Sequence, residues 1–162
     1  FDSAPQFLTL NIYVASYFLL NAGRIDEAYQ SIQRLERHNR GSFSPHLLPI
    51  SDLLRSLCLI EKREFEDAIR VLRNLGKSSR RKLIEGVDVA ITLLLAYIKT
   101  IESNQLDELS AQLKLKSLAS GLNNSILSNY LDLDLWLESK KMNRPMLTIS
   151  KHQAVLENRF QY

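Results

Sequence analysis

Two stretches decide the fold: Gly23-Arg24-Ile25-Asp26-Glu27-Ala28-Tyr29 and Arg63-Glu64-Phe65-Glu66-Asp67-Ala68-Ile69. Each reads as a turn, one large apolar residue, a pair of acids and then Ala. The two alanines lie 40 residues apart. Beyond them the apolar residues continue as Ile25, Ala28, Tyr29, Ile32 and Leu35, and as Phe65, Ala68, Ile69, Leu72 and Leu75. Steps of three and four place such residues on one face of an α-helix. The acids fall in the first turn, where carboxylates complement the positive end of the helix dipole.

The same spacing holds upstream. Tyr13, Val14, Tyr17 and Phe18 recur as Leu53, Leu54, Leu57 and Cys58, and again as Leu93, Leu94, Tyr97 and Ile98. Small residues stand in register at Ser16, Ser56 and Ala96, where they let a neighbouring helix approach. In the third copy Leu106-Asp107-Glu108-Leu109 follows the pattern 41 residues on, with Leu in place of Ala. One residue is added in the turn Glu102-Ser103-Asn104-Gln105, and Leu106, Leu109 and Leu113 continue the stripe. A bulky Leu109 predicts that the helices of this pair sit further apart.

Each copy is thus a helical hairpin. The pattern predicts helices over 5–21, 25–39, 47–61, 65–76, 81–102 and 105–119. The fifth, with Ile84, Val87, Ile91, Leu94, Ile98 and Ile101 in step, is predicted to be the longest at about 33 Å. Breakers mark the links: Asn39-Arg40-Gly41-Ser42 with Pro45 and Pro49, then Gly76-Lys77-Ser78-Ser79. A seventh element, Ile126 to Met142, reads two ways. Leu131-Asp132-Leu133-Asp134-Leu135-Trp136-Leu137 alternates like a strand, while Ile126, Tyr130, Leu133 and Leu137 share a helical stripe. No partner strand exists elsewhere, so a helix capping the stack is predicted. Residues 1–143 then form the repeat domain. Residues 144–162 form a tail, expected to dock in part through Phe160 and Tyr162.

Composition agrees with an all-α reading, an α-α superhelix of about three hairpins plus a C-terminal capping helix. The 162 residues suit one domain, and 45% hydrophobic with 24% charged residues is ordinary for a globular chain. Only 5 Gly and 4 Pro disfavour a turn-rich β fold, and 30 Leu favour helix. The net charge of +3 is a mild excess. Cys58, the lone cysteine, sits in the apolar run Leu57-Cys58-Leu59-Ile60 and reads as a buried, inert thiol. The chain begins at Phe1, so a processed product or a piece of a longer protein is expected, in a cytoplasmic setting. No signal-peptide pattern is visible. The apolar run Ile91 to Ile98 is far short of the roughly 20 residues that cross a bilayer.

The signature opening the second helix resembles the tetratricopeptide repeat family over residues 5–119. Gly23 stands at its turn glycine, Ile25 and Phe65 at its large apolar position, and Ala28 and Ala68 at its small packing position. Ser16, Ser56 and Ala96 match its small residue in the first helix. The period departs from that family's, which is about 34 residues. The family's Pro after the second helix is absent, with Arg40 and Arg80 near those places. Armadillo and HEAT arrays have a closer period but lack this turn signature. The resemblance implies a superhelix that binds a protein or peptide on a concave face lined by the first helices. It places Leu10, Tyr13, Tyr17, Asn21, Leu53, Glu61 and Tyr97 toward that groove, with Tyr13, Tyr17, Asn21, Glu61 and Tyr97 as the candidate partner-binding set. Family members that clamp a C-terminal carboxylate use Lys, Arg and Asn. Here Tyr13, Tyr17, Leu53 and Leu57 occupy those places, so no clamp is implied.

Catalytic chemistry finds little support. His38, His46 and His152 share no helical spacing, so no metal site is expected. Gly76-Lys77-Ser78 ends like a phosphate loop, but Val71 stands where that loop needs its first Gly. The pairs Asp26-Glu27, Glu66-Asp67 and Asp107-Glu108 recur with the repeat and so mark helix starts. Neither an enzyme nor a cofactor is expected. A basic cluster of Arg70, Arg73, Lys77, Arg80, Arg81 and Lys82 supports an alternative, a nucleic-acid-associated or regulatory domain. Its helix would carry Arg70 and Arg73 outward, with no stacking aromatics beside them.

Overall fold

The computed structural model describes residues 4–38 and 45–149. It is all-helical among those residues. The helices are α1 (Ala4–Asn21), α2 (Ile25–His38), α3 (Leu47–Glu61), α4 (Phe65–Lys77), α5 (Val87–Glu102), α6 (Leu109–Gly121) and α7 (Leu133–Met142). Short 3-10 turns lie at Ser79–Lys82 and Ile126–Asn129. Helices α1/α2, α3/α4 and α5/α6 pack as hairpins, with α2 on α3 and α4 on α5. The stack is the superhelix of hairpins that the repeat predicts. The 39–44 link, His152, Phe160 and Tyr162 lie outside the described residues.

The three hairpins turn in one way. Gly23, Arg63 and Asn104 have φ of 78°, 62° and 55°. The Gly23 and Arg24 amides donate to the Leu20 and Leu19 carbonyls. The pattern recurs as Arg63 to Ile60 with Glu64 to Leu59, and as Asn104 to Ile101 with Gln105 to Thr100. A left-handed residue folds the chain back so that two amides satisfy carbonyls of the last helical turn. Asn143, at φ 51°, does so a fourth time: its amide reaches Lys140 and that of Arg144 reaches Ser139. Helix α7 therefore ends in the same kind of turn as α1, α3 and α5. The chain re-enters a helical turn over 146–149, with Met146 and Ile149 buried. Sequence reading missed this turn because Asn143-Arg144-Pro145 lacks the acid-acid-Ala text.

Two helix boundaries differ from expectation. The fifth helix starts at Val87, not at 81, and has 16 residues, fewer than the 18 of α1. Its length is about 24 Å rather than 33 Å. The cause is Gly86, at φ 103°, where a Cβ would lie 2.7 Å from Ser125 Oγ. The chain breaks helix there so that residues 125–127 can pass close by, and the Leu127 amide donates to the Glu85 carbonyl. The sixth helix starts at Leu109, not at 105. The seventh element is helical but split, because Asp132 caps α7 by accepting the Leu135 amide at 2.9 Å.

Candidate partner-binding face

The first helices α1, α3 and α5 do turn one face inward, and the candidate residues gather on it. Tyr13 and Tyr97 are buried there, while Tyr17, Asn21 and Glu61 are half-buried. Leu53 is fully buried, whereas Leu10 points out to solvent. The face is occupied by the chain's own segment from Tyr130 to Met146. The Tyr13 hydroxyl donates to the Tyr130 carbonyl at 2.6 Å. The Tyr17 hydroxyl accepts the Asp132 amide at 2.9 Å. The two rings stack 6.4 Å apart. Further along, a Cβ on Gly23 would touch the Pro145 ring. The segment thus runs in the same direction as α1.

Trp136 anchors the middle. Its side chain is 1% exposed, and its ring meets Tyr97 edge-on with centroids 4.9 Å apart. Its Nε1 donates to one Glu61 carboxylate oxygen at 2.9 Å. Lys140 Nζ donates to the other oxygen of Glu61. One carboxylate therefore holds two side chains one helical turn apart. Burial raises the hydroxyl pKa of Tyr13 and Tyr17, and lifts Tyr97 to about 12. These hydroxyls are neutral hydrogen-bonding groups and not proton carriers near neutral pH. Trp136 and Lys140 escaped sequence reading, although the chain's single Trp, four residues before a Lys, was the available signal.

Helix α7 also packs on α6, as a capping helix does. There Lys116 bridges Asp134 at 2.8 Å and Glu138 at 3.4 Å, and these hydrogen bonds raise its pKa. Beyond Lys116 the two helices splay. They leave a cleft of about 460 Å³ walled by Leu106, Leu109, Leu113 and Leu137, with Tyr97 on its floor and Lys141 at its rim.

The basic cluster is divided by the structure. Arg70 pairs with Asp67 at 3.0 Å. Arg81 closes the end of α4 through the Gly76 carbonyl at 2.7 Å and pairs with Asp88 at 3.2 Å. Arg73, Lys77, Arg80 and Lys82 are exposed. The strongest carboxylate perturbation lies elsewhere, at Asp52 on α3. Burial lifts it to about 6, opposed by Arg55 and reinforced by Glu36. Arg55 pairs with both acids and so ties α2 to α3. Cys58 is buried and its thiol is pushed up to about 12, as an inert core residue should be. His46 is exposed just ahead of α3. Among the described residues no group of His, Cys, Asp and Glu is placed to hold a metal. Among them, too, no helix is long and apolar enough to cross a membrane.

No protein-family model matches the chain, and neither a curated protein nor a solved structure matches it.

Proposed function

We propose that the chain is a tetratricopeptide-like helical repeat module that acts as a non-enzymatic scaffold for a protein or peptide. One observation carries this reading. The inward face holds α7 through an edge-on ring and a shared carboxylate, and the residues leading into it through two tyrosine hydroxyls. Helix-in-groove recognition uses the same elements: side-chain anchors one turn apart on one face, set in an apolar groove. A partner helix would place a ring where Trp136 sits and an ammonium where Lys140 sits. The nucleic-acid alternative is weaker because two of its six basic residues are engaged within the fold.

The test uses a synthetic peptide of residues 130–146, titrated into the full chain carrying Trp136→Ala. Vacating the Trp136 seat should let the peptide bind in the micromolar range and raise the variant's melting temperature. Wild type, with the seat filled, should bind at least about tenfold more weakly. Binding should persist at high salt, where phosphate contacts would be lost. A folded variant that neither binds the peptide nor gains stability from it would overturn the reading.

A further inference from the structure

The inward face turns a single charge toward α7, and the repeat register shows how isolated it is. Glu61 stands in register with Asn21 and Ile101, so the equivalent places on α1 and α5 are uncharged. Helix α1 carries no charged residue at all. On α3, Arg55 pairs with Asp52 and reaches Glu36 on α2. On α5, Asp88 pairs with Arg81, while Lys99 and Glu102 are exposed. Among the described residues, Glu61 is thus the one charged side chain of these three helices that bonds α7.

Helix α7 is sorted to match. Its acids Asp134 and Glu138 meet Lys116 on α6, and its Lys140 meets Glu61. The Glu61 side chain is only 14% exposed. One of its oxygens accepts the Trp136 indole at 2.9 Å and the other accepts Lys140. Little water reaches such a carboxylate, so an acid brought to the Lys140 place would meet it uncompensated. A phenyl ring in the Trp136 seat would leave one oxygen without its donor. The other end of the segment offers no such choice. There Tyr13 and Tyr17 bond main-chain groups, the Tyr130 carbonyl and the Asp132 amide. Beside Lys140 a recess of about 180 Å³, walled by Glu61, Ser139, Asn143 and Arg144, has room for a guanidinium as well.

We propose that Glu61 is the specificity-determining residue of the groove. It selects partner helices that carry Trp and, four residues on, Lys or Arg, and it rejects those with an acid at that place. Tyr13 and Tyr17 hold the lead-in through its backbone. The inference rests on the reading of the inward face as a helix-binding groove and adds which helices that groove accepts.

The test compares peptides of residues 130–146 by titration into the full chain carrying Trp136→Ala. The natural sequence should bind at least about 30-fold more tightly than its Lys140→Glu form, and about tenfold more tightly than its Trp136→Phe form. A Lys140→Arg peptide should match it within about threefold. Each ratio is taken on one chain, so competition from that chain's own α7 cancels. Adding Glu61→Lys to the chain should invert the charge preference, so that the Lys140→Glu peptide binds the tighter. Glu61→Gln should bring the two peptides within about threefold, and it serves where the reversal unfolds the chain. A purely structural role for Glu61 would weaken all peptides alike and could not invert their order. Equal binding of the natural and Lys140→Glu peptides would overturn the proposal while the groove reading stands. So would a charge preference that survives both changes at Glu61. Binding of no peptide would overturn the groove reading and this inference with it.

Discussion

The first two hairpins and the third carry the same stripe at the same spacing, and the structure treats them oppositely. In α2 and α4 the stripe is sealed: Ala28, Ile32 and Leu35, like Ala68, Leu72 and Leu75, are all buried. In α6 the counterparts Leu109 and Leu113 face solvent. The sealed hairpins carry Ala28 and Ala68 where the third carries Leu109. Ala28 and Ala68 are fully buried and leave room for close approach of the paired helix, whereas Leu109 is 70% exposed. The third hairpin responds by starting α6 at Leu109 and leaving Leu106-Asp107-Glu108 outside the helix. The repeat signature by itself therefore fixes neither where α6 starts nor whether its apolar face is covered.

That contrast can be broken experimentally, beginning where the chain itself fills the stack. Trp136→Ala should destabilise by about 3–5 kcal/mol, because it empties the most buried large ring on the inward face. Chemical denaturation would measure it, and a loss under about 1 kcal/mol would mean that α7 is not integral to the stack. Next comes Gly86→Ala, expected to lose about 2 kcal/mol or more. The residue has φ 103° and lies against Ser125. Gly76→Ala is the control, as a Cβ there meets nothing within 4 Å. If the two variants melt alike, the close passage of residues 125–127 is wrong.

The alanine comparison is the sharpest. Ala28→Leu and Ala68→Leu should each cost about 1–3 kcal/mol by overpacking. The reverse change in the third hairpin, Leu109→Ala, should stay within about 0.5 kcal/mol. Equal effects at the three positions would erase the distinction between sealed and open hairpins. The smallest expected effect concerns pH. The Asp52 carboxyl, raised from 3.8 to about 6, binds its proton more tightly folded than unfolded. Its stabilising contribution is full below pH 3.8 and is lost as pH rises through 6. The wild-type melting temperature should therefore gain from this group between pH 7 and pH 5, by a few degrees. Asp52→Asn should lose that increment while the remaining pH dependence persists.

Much of the architecture was legible. The helix pairs and the 40-residue register follow from local text, because periodicity and turn chemistry act over a few residues, while the inward position of Tyr13, Tyr17 and Tyr97 was implied by the resemblance to tetratricopeptide repeats. The candidate set Tyr13, Tyr17, Asn21, Glu61 and Tyr97 does converge on one face. What it touches was not legible. Tyr13 meets Tyr130 across 117 residues and Glu61 meets Lys140 across 79, separations over which no spacing rule operates. The Asn143 turn could have been found, since Asn tolerates the left-handed conformation. Only its hydrogen bonds show that it repeats the other three.

The sequence by itself determined an all-α chain of repeated hairpins, since apolar periodicity and turn residues are local properties. The tertiary structure alone decided that α7 lies in the groove, that Glu61 holds both Trp136 and Lys140, and that α1 and α6 keep apolar faces exposed. Those outcomes depend on how the volumes and backbone paths of distant segments fit together, and that sum is not written in any one stretch of the chain.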